Sequence, residues 1–315
     1  MENDTNQLSE DLRDIEQRFK KEIEPYRSDL WRYCYKLTRS PWDAEDLVQD
    51  TLFKSLAVLA KMHQPVKMKA YLFKIATNVW IDRYRRIPYA VLPLEEELQP
   101  DHSSEFDLEL VDHLEFLVQH LTPHQYVSFL LAEAFRFKAS EIAVMIATSE
   151  GAVYTNLSRA RSVLRKTRRK QAQSMPIVDL VQNTPLDILI KGFRNKDPEL
   201  IASVLNEDVT VNIVHAGIEE GRDEAKRNSL NDWKEVVDTQ HDIVAEYKML
   251  WGKEVVVEME RKSNGELYLN NLHVIETVGG EIIHWNFYCF SWDLMKHAAK
   301  ELDIKLNATY FYHIF

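Results

Sequence analysis

Cysteine is almost missing from this 315-residue chain, which has only Cys34 and Cys289. Two thiols so far apart, each in strongly patterned surroundings, exclude a disulfide framework and a cysteine-based metal site, and they suit a reducing cytoplasm. Long apolar runs are missing too. No stretch approaches the ~20 residues of a membrane span, and the acidic, polar start Met1 to Asp14 is the reverse of a signal peptide. The expectation is a cytoplasmic protein with no membrane partner. Internal repeats and low-complexity segments are absent as well. Positive charge is in deficit: 39 Lys and Arg stand against 50 Asp and Glu, a net charge of −11. Taken as a sum, that argues against a polyanionic partner.

The distribution reverses this argument. Between Arg159 and Lys170 lie Arg159, Arg161, Arg165, Lys166, Arg168, Arg169 and Lys170 with no acid among them. The acids gather instead in the N-terminal arm, in Glu95 to Asp112 and in the C-terminal third. Local fields steer a polyanion, not the total. A hydrophobic content of 45% and an aromatic content of 10% fit folded domains, and the length allows two or three of them.

Apolar positions recur at three and four from Leu8 to Arg86, with breaks at Pro25, Pro41 and Pro65, which predicts a helical domain over 1–87. Residues 88–110, with Pro88, Pro93, Pro100 and a run of acids, read as a tether. Helical spacing returns over 111–170. Residues 171–185, with Pro176 and Pro185, form a second connector. In 186–315 the period changes: helices come first, then segments that alternate or run β-branched and aromatic, with turn signals at Ser263-Asn264-Gly265 and Gly279-Gly280. The expectation is an α+β domain with an antiparallel sheet.

Three helical segments carry functional signals. In Asp43 to Leu56, the residues Ala44, Leu47, Val48, Thr51, Leu52 and Leu56 share one face, and Asp43, Asp46, Gln49, Asp50 and Phe53 the opposite arc. An acidic stripe holding an aromatic suits a basic partner surface, although such a stripe is also what a solvated helix face looks like. In the next helix Leu72, Ile75, Ala76 and Val79 form the buried stripe. Lys74, Asn78, Ile81 and Arg85 are then outward, with Thr77, Trp80 and Tyr84 to the sides and Arg86 at the end. A basic helix interleaved with flat side chains suits capture of single-stranded bases, while Trp80 and Tyr84 fit a core role equally well. Ser140 to Arg168 reads as a helix-turn-helix with Thr148 or Ser149 as N-cap. Its stripe Val153, Leu157, Ala160 and Leu164 leaves Glu150, Tyr154, Thr155, Ser158 and Arg159 for a major groove, and Arg161, Arg165 and Lys166 for phosphates.

The order and spacing of these three segments resemble an extracytoplasmic-function RNA polymerase sigma factor. The resemblance implies a multidomain fold with two all-α domains, sigma region 2 and the region 4 helix-turn-helix, joined to a C-terminal domain. It implies core RNA polymerase and promoter DNA as partners, with no catalytic residue, cofactor or metal. Asp43, Asp46, Gln49, Asp50 and Phe53 become the polymerase-docking positions. Lys74, Asn78, Trp80, Arg85 and Arg86 become the minus-ten contacts, and Glu150, Tyr154, Thr155, Ser158, Arg159, Arg161 and Arg165 the upstream-element contacts. Thr77 stands where many relatives carry Arg, and Ala147 where they often have Leu or Gly. Residues from about Leu186 to Phe290 resemble the SnoaL-like α+β cone, which wraps a sheet around a small-molecule pocket. His215, Asp242, Trp251, His273, Trp285 and Tyr288 are the candidates to line it, for ligand sensing more than for catalysis. An Asp-Gly-Gly-Gly-Arg motif that some cone-fused factors carry is absent. Two other readings stay open at this point: a ligand-sensing helix-turn-helix regulator, and a SnoaL-type cyclase or isomerase.

Overall fold

The computed structural model describes residues 21–59, 67–86, 117, 120–167 and 184–307, and it divides into two compact units, Met1–Pro176 and Ile177–Phe315. The expected tethers fall almost wholly outside the described residues. No helix among the described residues is long and apolar enough to cross a membrane.

The first unit begins with a short 3-10 turn, Glu24–Tyr26, and then α1 (Arg27–Thr38), α2 (Pro41–Leu59) and α3 (Met68–Arg86). Arg39 ends α1 in the left-handed region at φ 63°, its N–H bonded to the Tyr35 carbonyl, and the chain turns back at once into α2. Leu30, Tyr33, Cys34, Leu37, Leu47, Val48, Leu72, Phe73 and Ala76 fill the space between the three helices. The Tyr33 ring stacks on Phe73 at 4.4 Å, and its hydroxyl meets the Thr77 hydroxyl at 2.6 Å. That bond satisfies the phenol inside the core, where burial pushes its pKa upward. The Trp31 Nε1–H donates to buried Glu45 at 2.8 Å.

The unit continues with α4 (Pro123–Phe129), extended by a π turn over Leu130–Ala134, then α5 (Ala139–Met145) and α6 (Glu150–Thr167). Thr122 and Gln125 close a capping box at the start of α4. Tyr126, Val127, Leu130, Leu131, Ile142 and Met145 pack with Val153, Leu157, Ala160 and Leu164 of α6, all of them buried. Ala147 takes the turn in the left-handed region at φ 51°, and the Thr148 N–H returns to the Ala143 carbonyl at 2.9 Å. The turn therefore forms without glycine. Of the two N-cap candidates, Ser149 serves: its hydroxyl accepts the Ala152 N–H at 3.2 Å.

The second unit opens with α7 (Thr184–Asn195) and α8 (Pro198–Ala202), then β1 (Leu205–Ile213) and β2 (Gly217–Glu220). It continues through α9 (Arg222–Ala225), a π turn and α10 (Asn231–Asp238). Four strands follow: β3 (Asp242–Leu250), β4 (Lys253–Arg261), β5 (Leu267–Val278) and β6 (Glu281–Phe287). The last elements are α11 (Trp292–Glu301) and the short β7 (Lys305–Leu306). The seven strands form one sheet in the order β2-β1-β6-β5-β4-β3, with β7 beside β5.

The α+β class and the order of helices before strands match expectation; the fully antiparallel sheet does not. Strand β6 runs parallel to β1, and β7 parallel to β5. Strands β3 to β6 form a meander whose last strand returns to lie beside β1, and a parallel pair needs the long connection that α9, α10 and the four strands β2 to β5 provide. Gly279 and Gly280 make the β5–β6 turn at φ 63° and 89°, a backbone conformation that side chains resist. Gly192 has another reason. A Cβ there would stand 2.5 Å from the Ile201 side chain, so α7 and α8 approach closely only without one. Leu189, Phe193, Leu230, Trp233 and Val237 cover the sheet residues Val209, Val211, Ala245, Val256, Trp285 and Phe287 as one continuous core.

Candidate functional site

The acidic helix keeps its expected division of faces. Ala44, Leu47, Val48, Thr51 and Leu52 are buried, while Asp43 and Asp46 are exposed and Gln49 and Asp50 half-buried. Phe53 stands 76% exposed on the same arc. Asp50 pairs with Arg83 of α3 at 2.5 Å, so one charge of the stripe is partly neutralised from the neighbouring helix. Arg83 was not among the expected site residues; its spacing from Arg86 gave no hint of a partner on α2.

On α3, Asn78 is exposed and Lys74 half-buried. Three side chains depart from expectation: Ile75, expected in the buried stripe, is only half-buried. Ile81 is buried, and Trp80 is only 7% exposed, its ring 5.8 Å from that of Tyr126 in α4. Trp80 therefore offers no open stacking platform in this structure, because a helix distant in sequence covers it. Thr77 is fully buried and bonded to Tyr33 and to the Phe73 carbonyl. Arg85 and Arg86 lie in the last turn of α3, and their side chains, like that of Tyr84, are outside the described residues.

On α6, Glu150, Tyr154, Thr155 and Arg159 are exposed and Ser158 half-buried along one side of the first three turns. They are brought together as a groove-facing set would be. Arg161 is the exception. Its Nε and Nη2 both donate to Glu133 Oε1, at 3.1 and 2.7 Å, so the guanidinium braces α6 against the end of α4 instead of standing ready for a phosphate. The Arg165 side chain is outside the described residues, as is that of Lys166. Val144, 66% exposed on α5, is an apolar surface residue that reading the stripe Ile142, Ala143 and Ile146 passed over.

The six cone candidates do not converge. His215 sits in the β1–β2 turn at φ 73°, and Asp242 is exposed at the start of edge strand β3, 3.6 Å from Arg261. Trp251 makes the β3–β4 turn at φ 49° with its ring 5.0 Å from that of His297 on α11. Tyr288 is buried just beyond β6. Only His273 and Trp285 meet, inside the core. The Trp285 Nε1–H donates to His273 Nδ1 at 3.1 Å, so the opposite ring nitrogen carries the proton that faces Glu258 Oε2 at 3.1 Å. Glu258 Oε1 accepts the Trp233 Nε1–H at 3.0 Å. Phe193 stacks on the imidazole at 4.6 Å. Every donor in this row has an acceptor, as buried polar groups need. Glu258 and Trp233 escaped the sequence reading, since an acid alternating with Val257 and Met259 on a strand looks solvent-facing. Burial and the nearby Glu258 carboxylate push the Cys289 thiol up to about 12.

Comparison with known proteins fits the helical elements. Residues 23–87 match the family model for Sigma-70 region 2, and residues 113–164 that for Sigma-70, region 4. The helical unit carries sigma-70 regions 2 and 4. Region 2 thus spans α1 to α3, and region 4 spans α4 to α6. The ECF RNA polymerase sigma factor SigG of Mycobacterium tuberculosis is 30% identical over 190 residues, which cover 51% of each chain. SigJ of the same species is 26% identical over 201 residues, 60% of this chain and 62% of that one. The chain thus spans about half the length of SigG. Among solved structures, SigJ covers 85% of this chain and 95% of its own, at 19% identity and a TM-score of 0.33. An NTF-2 like protein from Burkholderia xenovorans covers 33% of this chain and 78% of its own, at 10% identity and a TM-score of 0.25.

Proposed function

We propose that this chain is a sigma factor that binds core RNA polymerase in the cytoplasm and directs it to promoter DNA, with no catalytic activity of its own. The acidic arc of α2, Asp43, Asp46, Gln49, Asp50 and Phe53, docks on the polymerase. Lys74, Asn78, Trp80, Arg85 and Arg86 take the unwound minus-ten strand, and the exposed face Glu150, Tyr154, Thr155, Ser158 and Arg159 reads the upstream element, with Arg165 on phosphate. The domain division at 1–87, 88–110, 111–170, 171–185 and 186–315 belongs to the same reading, as does modulation in cis by the C-terminal α+β domain.

Phe53 carries this reading. A phenyl ring 76% exposed on an acidic arc gains nothing for the fold, and a simple helix-turn-helix repressor needs no such surface. A small-molecule ligand for the C-terminal domain belongs to the same proposal and rests on the resemblance of that domain to the SnoaL-like cone, since His273 and Trp285 are themselves fully buried core residues. The docking test is co-purification with core polymerase of Asp46→Arg/Asp50→Arg. Its loss, at unchanged helical content, supports the assignment; retention at the parent level removes it.

A further inference from the structure

The centre of the acidic arc is held from a second helix. Asp46, Asp50 and Phe53 follow one another at spacings of four and three, so they stand in one line along α2 with Asp50 in the middle. Arg83, near the C-terminal end of α3, reaches across to that middle position, its Nη2 2.5 Å from Asp50 Oδ2. Among the described residues the Asp50 carboxylate meets no other side chain, so Oδ1 keeps its lone pairs for a donor from outside. Both members of the pair are half-exposed, at 43% for Arg83 and 49% for Asp50. A pair in that setting adds little to the fold, so its worth lies in what it does to Asp50.

From this geometry we infer that Arg83 is a positioning residue for polymerase docking: it fixes the Asp50 carboxylate and supplies one of the donors that the carboxylate needs once the interface closes over it. The inference rests on the proposed docking role of α2. A basic partner surface that covers Asp50 removes its water. A carboxylate facing a single cation is then left with unsatisfied lone pairs, and attraction repays desolvation only where further hydrogen bonds complete the shell. Arg83 completes it in advance on Oδ2, while Oδ1 accepts from the partner. The planar guanidinium also holds the carboxylate in one orientation before contact, so less side-chain freedom is lost on binding. Against this stands its charge, which offsets one negative unit of the arc and weakens the long-range pull on a basic surface. The two effects act on different rate constants. Steering sets association, and the completed carboxylate shell sets dissociation.

The test measures association and dissociation of the full chain with purified core polymerase at low and physiological salt. Arg83→Ala should dissociate about five- to ten-fold faster, the scale of one lost charge-assisted hydrogen bond at a half-exposed site. It should associate as fast as the parent, or slightly faster at low salt. Arg83→Lys, which keeps the charge and a flexible donor, should recover part of the loss. In an Asp50→Ala background, Arg83→Ala should change the affinity by less than about two-fold, since nothing is left to position. Denaturant midpoints of the single variants should match the parent's, which ties the loss to docking. Asp50→Ala that binds weakly, beside Arg83→Ala that dissociates as the parent does, overturns the positioning role and leaves the docking arc intact. A loss from Arg83→Ala that persists undiminished in the Asp50→Ala background overturns it too, because Arg83 then acts without Asp50. Asp50→Ala that binds as tightly as the parent removes Asp50 from the docking surface, and the inference falls with it.

Discussion

Replacing Phe53 by alanine separates folding from docking. The side chain is 76% exposed in the free chain, so its loss should move stability by no more than about 0.5 kcal/mol, the usual range for surface substitutions. Full burial of a phenyl group stabilises by roughly 1.5–3 kcal/mol. About three-quarters of that burial is still to be gained at an interface, which gives ~1–2 kcal/mol, or a loss of about 5- to 30-fold in affinity. Titration of fluorescent core polymerase with the parent and Phe53→Ala chains measures the affinity, and denaturant unfolding measures stability. The reasoning is refuted by unchanged polymerase affinity, and equally by an affinity loss that a matching loss of stability explains.

Other outcomes follow from the same geometry. Asp46→Arg/Asp50→Arg should cost less than about 1 kcal/mol of stability, because the Asp50–Arg83 pair is solvent-exposed; denaturant melts beside the pull-down check this. Arg159→Ala should weaken a cognate upstream element by about 1–3 kcal/mol relative to unrelated duplex, with unfolding unchanged. Arg161→Ala should instead destabilise the fold by about 1–2 kcal/mol, since Glu133 Oε1 loses both guanidinium donors; equal unfolding midpoints for the two variants would erase the distinction. In the second unit, Glu258→Ala should cost about 3–5 kcal/mol, because it strands the Trp233 and His273 donors in the core, and a melt within 1 kcal/mol of the parent would contradict that scale. Burial raises both thiols, so a disulfide reagent at pH 8 should leave Cys34 and Cys289 unmodified in folded protein and react with both after denaturation.

Much of region 2 and region 4 was legible because helical periodicity is local. Ala44, Leu47, Val48 and Thr51 repeat at three and four, and that spacing alone assigns Asp43, Asp46 and Phe53 to the far side. Burial of Trp80 was not legible in the same way, since the Tyr126 that meets it belongs to a helix beyond a long connector. Arg161 reads as one more base in a basic helix until Glu133 is seen beside it. In the second unit, alternation located the strands, but the parallel partnership of β1 and β6 joins residues separated by four strands and two helices. His215, Asp242 and Trp251 were grouped by residue type alone; strand ends and turns set them apart, whereas His273 and Trp285 lie diagonally across the β5–β6 pairing. Short β2 and β7 carry too few residues for any period to emerge.

The central claim is tested most directly by run-off transcription with purified core RNA polymerase, the full chain and a library of DNA fragments from the source genome. The account requires that core alone stay silent and that adding the chain yield transcripts from a defined subset of fragments, each beginning a fixed distance below a shared upstream element. Folded chain that elicits no specific transcript from any fragment, with a core that another sigma factor activates in the same assay, would contradict it.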